Sequence, residues 1–205
     1  MKRSRALWLD LAERLFVLAL YGWLVARMVE GFRAGGGPGS LLLLPSEGLV
    51  VVFVLLRRRT EKISPRPHEW LLALLATCAA LLVTPIHRPP PIHPMVGSVL
   101  MIMGMLIQLH AKVHLGRSFG LVAAHRGLSL GGPYKLVRHP MYAGYMLSHL
   151  GYLAFNPTWW NFALYAIGDS LQIPRLLAEE RLLANDEHYR RYQSTVRYRL
   201  FPGLF

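Results

Sequence analysis

Cysteine is almost missing from this sequence. Cys78 is the single one among 205 residues, so no internal disulfide and no thiolate metal site can form. It lies within an apolar run and reads as a small buried hydrophobe. Charge is scarce too: Asp, Glu, Lys and Arg make up 17% of the chain and hydrophobic residues 53%, with a mean hydropathy of +0.31. Soluble domains carry about 25% charged residues. Acid is the rarer sign, 11 residues against 23 Lys and Arg, giving a net charge of +12 and a pI near 10.4. In a soluble protein that imbalance suggests nucleic acid. Here the basic residues flank apolar runs, and no basic patch is interleaved with stacking aromatics. The excess therefore reads as membrane topology, and no nucleic-acid partner is expected. No small-residue cleavage site follows the first apolar stretch, and Asp10 and Glu13 precede it. The N-terminus reads as a retained helix, not a cleaved signal peptide. Repeats and low-complexity segments are missing, as is any strand followed by G-x-G-x-x-G.

Apolar runs are what the chain has. They cover about Leu15 to Val29, Leu41 to Leu56 (with Pro45 and Glu47 inside), Trp70 to Ile86, and Met95 to Leu109, continuing as a helix toward Leu115. A Gly-rich turn, Gly31 to Ser40, and a Pro-rich turn, Pro85 to Pro94, separate them. Arg57-Arg58-Arg59 ends the second run sharply. Two shorter segments, Met141 to Phe155 and Trp159 to Ile173, are joined by Asn156-Pro157-Thr158. Each is shorter than the ~20 residues that cross a ~30 Å hydrocarbon core, so they are expected to form a tilted or re-entrant hairpin. Pro174 is suited to the first turn of a new helix. That helix, Pro174 to about Val196, is charged and amphipathic.

With the N-terminus inside, the inner side holds Lys2, Arg3, Arg5, the cluster Arg57 to Arg66, the basic residues from Arg117 to Arg138, and those after Pro174. The outer side keeps Arg33 and Arg88, with Arg27 near the outer helix end. That asymmetry follows the positive-inside rule. The expected fold is an all-α polytopic integral membrane protein with five or six transmembrane helices and a cytoplasmic C-terminal amphipathic helix. It is expected to be one membrane domain, 1–205, with transmembrane helices over 1–107 and the chemistry over 108–205. Both termini are expected to be cytoplasmic, in a bacterial inner membrane.

Ionisable groups at membrane depth are functional suspects: Glu47, His149 and Asp169. The densest constellation is Gly131-Gly132-Pro133-Tyr134-Lys135-Leu136-Val137-Arg138-His139-Pro140-Met141-Tyr142-Ala143-Gly144. Glycines and prolines there set an irregular backbone, and Arg138 and His139 directly precede a helix start at Pro140. A helix N-terminus offers free N–H groups and partial positive charge, which suits a carboxylate. The blander alternative is a headgroup-level anchor, with Arg138 on lipid phosphate and Tyr142 in an aromatic belt. Glu179-Glu180 form a second constellation, ordinarily a solvated helix face, here able to fold back toward Arg138 and His139.

Gly132-Pro133-Tyr134-x-x-Val137-Arg138-His139-Pro140-x-Tyr142-x-Gly144, then Glu179-Glu180-x-x-Leu183, then Tyr189-x-x-Tyr192-x-x-x-Val196, resembles the isoprenylcysteine carboxyl methyltransferase family. Phospholipid N-methyltransferases share a related pattern, and Leu115-Gly116-Arg117-Ser118-Phe119 resembles the stretch upstream. The likeness covers about Gln108 to Phe205. It implies an S-adenosylmethionine site built from membrane-helix ends, S-adenosylhomocysteine as product, cofactor arriving from the cytosol and a lipophilic acceptor from the bilayer. It implies that Tyr134, His139, Pro140, Tyr142 and Gly144 line the cofactor site and that Glu179 and Glu180 close it, one on the ribose. Arg138, His139 and Glu180 are the candidates for catalysis, Arg138 toward an anionic group, and Arg197 and Arg199 are weaker candidates for binding substrate.

Methyl transfer from a sulfonium is an in-line displacement, so the protein mainly aligns donor and acceptor and excludes water. The acceptor is expected to be lipophilic or a small thiol or carboxylate molecule, and a carboxylate or thiolate needs no base. An amine or phenol needs one, with His139 or Glu180 as candidates, and Tyr142 or Tyr145 offers a ring face to the sulfonium. Two rival classes exist. His110 and His114 share a helix face at i, i+4 and, with His125, His139 or His149, suggest a histidine-ligated metalloenzyme; no His-x-x-His-His box accompanies them, and no metal is expected. Six segments with buried acids also permit a binder or transporter, though no inverted repeat is visible.

Overall fold

In a computed structural model, residues 2–33, 44–58, 60, 62–84 and 93–205 are described. Seven α-helices and no strand occur among them: α1 Lys2–Arg33, α2 Leu44–Leu56, α3 Pro67–Leu81, α4 Pro94–Leu115, α5 Pro140–Phe155, α6 Trp159–Leu183 and α7 Glu187–Thr195. Among the described residues one helical stretch, 94–118, is long and apolar enough to cross a membrane, and Pro67–Leu81 is a shorter apolar helix. The expected Gly-rich turn, apart from its start, and most of the Pro-rich turn, with Arg59, Arg88 and the Glu47 side chain, lie outside the described residues.

The chain divides into two compact units. One comprises Met1–Pro65 with Leu115–Leu128. Its α1 packs on α2, and the two acids that interrupt the N-terminal pattern are buried. Asp10 and Glu13 meet Arg57, just past α2, and Arg126. Glu13 also accepts the backbone N–H groups of Leu121 and Val122, the latter at 2.9 Å. Thr60 Oγ1 donates to the His125 carbonyl at 2.7 Å, and an isolated antiparallel bridge joins Ile63 and Ala124. The first half of the long polar loop is thus tied down by charge and backbone pairing.

The second unit, Arg66–His114 with Ser129–Phe205, carries the motif residues. Glycines let α4 and α5 approach closely. A Cβ on Gly144 would stand 2.8 Å from both the Gln108 nitrogen and the Gly104 oxygen, and one on Gly104 would meet the backbone of Gly144 and Ser148. The partners recur seven residues apart, Gly97 with Gly104 and Gly144 with Gly151, two turns on the same face of each helix. Small residues at the crossing let the two helix backbones come into direct contact. Against α6, α3 buries Ala73, Ala76 and Ala79. Asn161 joins Thr84 to the loop before α6, accepting from the Thr84 nitrogen at 2.9 Å and donating to the Thr84 and Asn156 carbonyls at 2.8 and 3.0 Å.

Pro174 does not begin a helix. It lies inside α6, which runs unbroken for 25 residues, about 37 Å. The proline removes one i→i−4 bond, but side-chain links flank it on both sides: Asp169 to His149 of α5, Tyr142 of α5 to Glu179, and Arg181 to Glu69 of α3. The break falls instead at Ala184–Asp186, where Asp186 caps α7 by accepting from His188 N at 2.8 Å. The expected amphipathic helix Pro174 to Val196 is therefore the end of α6 plus a separate short helix.

Candidate functional site

Pro133 opens a 3-10 turn, Gly132–Lys135, that buries Tyr134. Gly132 has φ +55° and lies against the His114 ring, a position where both the conformation and the space require glycine. Tyr192 of α7 donates its hydroxyl to the Tyr134 carbonyl at 2.7 Å, fastening the tail helix to the turn. Arg138 N donates to the Tyr198 carbonyl at 2.9 Å and His139 N to the Arg199 carbonyl at 2.8 Å. The extended segment after α7 is thereby laid beside the residues that enter α5. His139 occupies the N-cap and Pro140 the first turn, where its missing N–H leaves nothing unpaired.

Three groups converge on Glu180, which is buried near the end of α6. His139 Nε2 lies 3.1 Å and Arg138 Nη1 3.3 Å from its Oε1, and Arg199 Nε donates to Oε2 at 3.1 Å. Arg138 is spanned between Glu180 and the Arg197 carbonyl, to which Nη2 donates at 3.2 Å. Burial pushes the Glu180 carboxyl up, but the hydrogen bond and charge of His139 and the charges of Arg138 and Arg199 outweigh it and hold it below the ordinary carboxylate range. Burial, first of all, raises the hydroxyls of Tyr134, Tyr189 and Tyr192, so all three stay neutral at pH 7.

Glu179 is built differently. Its side chain is 23% exposed. Oε1 accepts the Tyr142 hydroxyl and lies 3.8 Å from Arg175 Nε, while Oε2 is 3.9 Å from His139 Nδ1. Arg175 also stacks over the Tyr142 ring at 5.2 Å. One imidazole thus sits between two neighbouring carboxylates. Tyr142 anchors an apolar cluster with Leu176 and Leu200, against which Tyr145 and Met146 pack.

The structure brings together most of the residues singled out by sequence. Arg138, His139, Pro140, Tyr142, Glu179, Glu180 and Arg199 share one location, with Tyr134 buried in the 3-10 turn that leads into it. Gly144 faces α4, and Arg197 contributes its carbonyl while its side chain is exposed. The Glu179-Glu180 pair is not a solvated face. Arg175 was missed, although its i, i+4 spacing to Glu179 was a readable signal. Lys112 was missed too: it is fully buried on α4, with Nζ 5.4 Å from the Tyr145 ring centre. His110 and His114 stack on each other at 4.5 Å, and among the described residues no three His, Cys, Asp or Glu side chains are grouped to hold a metal.

Residues 92–190 match the phospholipid methyltransferase family. The structure is similar to that of the eukaryotic intramembrane Ras methyltransferase, isoprenylcysteine carboxyl methyltransferase, with a TM-score of 0.53 and 19% identity over 82% of this chain. This chain spans 66% of the length of that one. No curated protein matches it in sequence.

Proposed function

We propose, from the match of residues 92–190 to the phospholipid methyltransferase family, that the chain is a membrane methyltransferase that moves a methyl group from S-adenosylmethionine to a lipophilic acceptor. The observation that carries this reading is the pairing of a closed carboxylate, Glu180, with an open one, Glu179, around His139 at the start of α5.

The residues fit the cofactor group by group. S-adenosylmethionine supplies an activated methyl on a sulfonium, so the reaction needs alignment more than acid–base assistance. Glu179 has the oxygen and the exposure to take ribose hydroxyls or a cationic group. The first turn of α5 has donors for a carboxylate, and the Arg138 Nε atom is buried without a hydrogen-bond partner beside it. Tyr142 and Tyr145 present ring faces to a cation. Glu180, fully engaged, acts as the fixed counter-charge that positions His139, Arg138 and Arg199. The Lys and Arg asymmetry supports a cytoplasmic mouth, with the acceptor arriving laterally from the bilayer.

The test is transfer of labelled methyl from S-adenosylmethionine into vesicles of mixed bacterial lipids by the detergent-purified, reconstituted protein. Label in the organic phase, dependent on protein and suppressed by S-adenosylhomocysteine, is expected. No lipid-soluble label from protein that is folded and binds S-adenosylhomocysteine would remove the lipophilic acceptor from the account.

A further inference from the structure

One polar pair inside the helices is unused by the cofactor site. His149 of α5 and Asp169 of α6 are joined Nδ1 to Oδ1 at 2.8 Å, with side chains 14% and 20% exposed. The imidazole stacks on Tyr165 at 4.1 Å between ring centres, with Tyr145 on the same α5 face at 6.4 Å. Lys112 of α4 points at that Tyr145, and Tyr152 meets Tyr165 edge-on. His149 lies seven residues inward of Tyr142, about 10 Å along the same face of α5, and nine residues from Pro140, about 14 Å. With the cytoplasmic mouth proposed above set at Pro140, that distance is near half the thickness of a ~30 Å hydrocarbon core.

An ionisable pair at such depth is costly and is kept for a use. A carboxylate on Nδ1 fixes the tautomer with the proton on Nδ1 and leaves the Nε2 lone pair as the basic site, the arrangement by which a carboxylate orients a catalytic imidazole. The pair stands on the α5 face that leads from the bilayer core to Tyr142 and Glu179. We propose that His149, positioned by Asp169, is the proton acceptor for the methyl acceptor, and therefore that the acceptor is a nucleophile that carries a proton, such as an amine, a phenol or a thiol, and not a carboxylate. The nucleophile's proton passes to His149 Nε2. Its lone pair forms the bond to the methyl carbon, and the carbon–sulfur bond breaks with its electron pair going to sulfur. The imidazolium that remains is offset by Asp169 and returns its proton to water.

This inference rests on the methyltransferase reading, and the experiment separates the two. Wild type, His149→Gln, His149→Ala and Asp169→Asn are compared in four readouts. The first is S-adenosylhomocysteine binding, expected unchanged in all. Nitrogen-15 NMR of the histidine rings should show the Nδ1–H tautomer at His149 in wild type and its loss in Asp169→Asn. Methyl transfer is measured to three proton-bearing probes (phosphatidylethanolamine, a long-chain alkylphenol and a long-chain thiol) and to one carboxylate probe, an N-acetylated S-farnesylcysteine. Turnover of a proton-bearing probe is expected, reduced about 10²- to 10⁴-fold in kcat with KM little changed by His149→Gln. Added imidazole should partly restore His149→Ala. Variants within twofold of wild type, turnover confined to the carboxylate probe, or S-adenosylhomocysteine binding with no turnover of any proton-bearing probe would each overturn the proposal. Failure of wild type to bind S-adenosylhomocysteine would instead strike the methyltransferase reading.

Discussion

Two buried ionic clusters of similar make-up serve different ends. In the first unit, Asp10 and Glu13 face Arg57 and Arg126, acid balanced by base, and both Glu13 oxygens are occupied by guanidinium or backbone N–H groups. In the second unit, Glu180 is equally saturated, but its neighbour Glu179 is only partly engaged and partly exposed. A closed cluster holds a segment in place. A cluster with one carboxylate left open has something to offer a ligand. Each holds two acids, against two arginines in the first and three arginines with a histidine in the second; the difference that matters is whether the partners exhaust the acceptors.

The largest expected effect breaks the closed cluster. Glu13→Ala leaves two buried guanidiniums with Asp10 as their one carboxylate and removes the acceptor for Leu121 and Val122, so about 3 kcal/mol of stability should be lost. Thermal melting should fall accordingly, and limited proteolysis should cut within 115–128. An unshifted melting curve would show that the cluster is not what fastens this segment.

Glu180→Gln comes next, and its effect depends on pH. The Glu180 carboxyl is held below its ordinary range in the folded chain. Its stabilisation is therefore fully present above the unfolded carboxyl value, near 4.3, and is lost as pH falls through the lower folded value. The wild-type advantage in melting temperature should be large at pH 7 and shrink below about pH 4. A gap that stays constant across that range contradicts the ion-pair account.

Tyr142→Phe should be the mildest. It removes the hydroxyl that Glu179 accepts while keeping the ring in its cluster with Leu176 and Leu200. About 1 kcal/mol of stability is expected to go, with S-adenosylhomocysteine binding weakened several-fold because Glu179 loses its orientation. Equal binding in the variant would separate Tyr142 from the site.

The legibility of the sequence followed the same division. The helices around the site were readable from apolar runs and from Pro140 at the start of α5. The convergence of Arg138, His139 and the two glutamates was readable because the motif spacing resembles a known family. The continuity of α6 through Pro174 was not, since a proline's local preference outweighs nothing once flanking contacts on α3 and α5 hold both sides. The roles of Asp10 and Glu13 were hidden because their partners, Arg57 and Arg126, are 47 and 116 residues from Asp10. The close packing of α4 on α5 went unread because its glycines recur at seven residues and not at four. Which glutamate is closed and which is open was invisible in sequence, where the two are adjacent.

The most direct measurement is calorimetric titration of S-adenosylhomocysteine into detergent-purified wild type and Glu179→Gln side by side. The open carboxylate predicts saturable binding by wild type and a loss of at least about tenfold in the variant, ~1.4 kcal/mol, with its melting temperature nearly unchanged. Equal affinity in the two would contradict the assignment of Glu179 to the cofactor, and no binding by folded wild type would contradict the methyltransferase account itself.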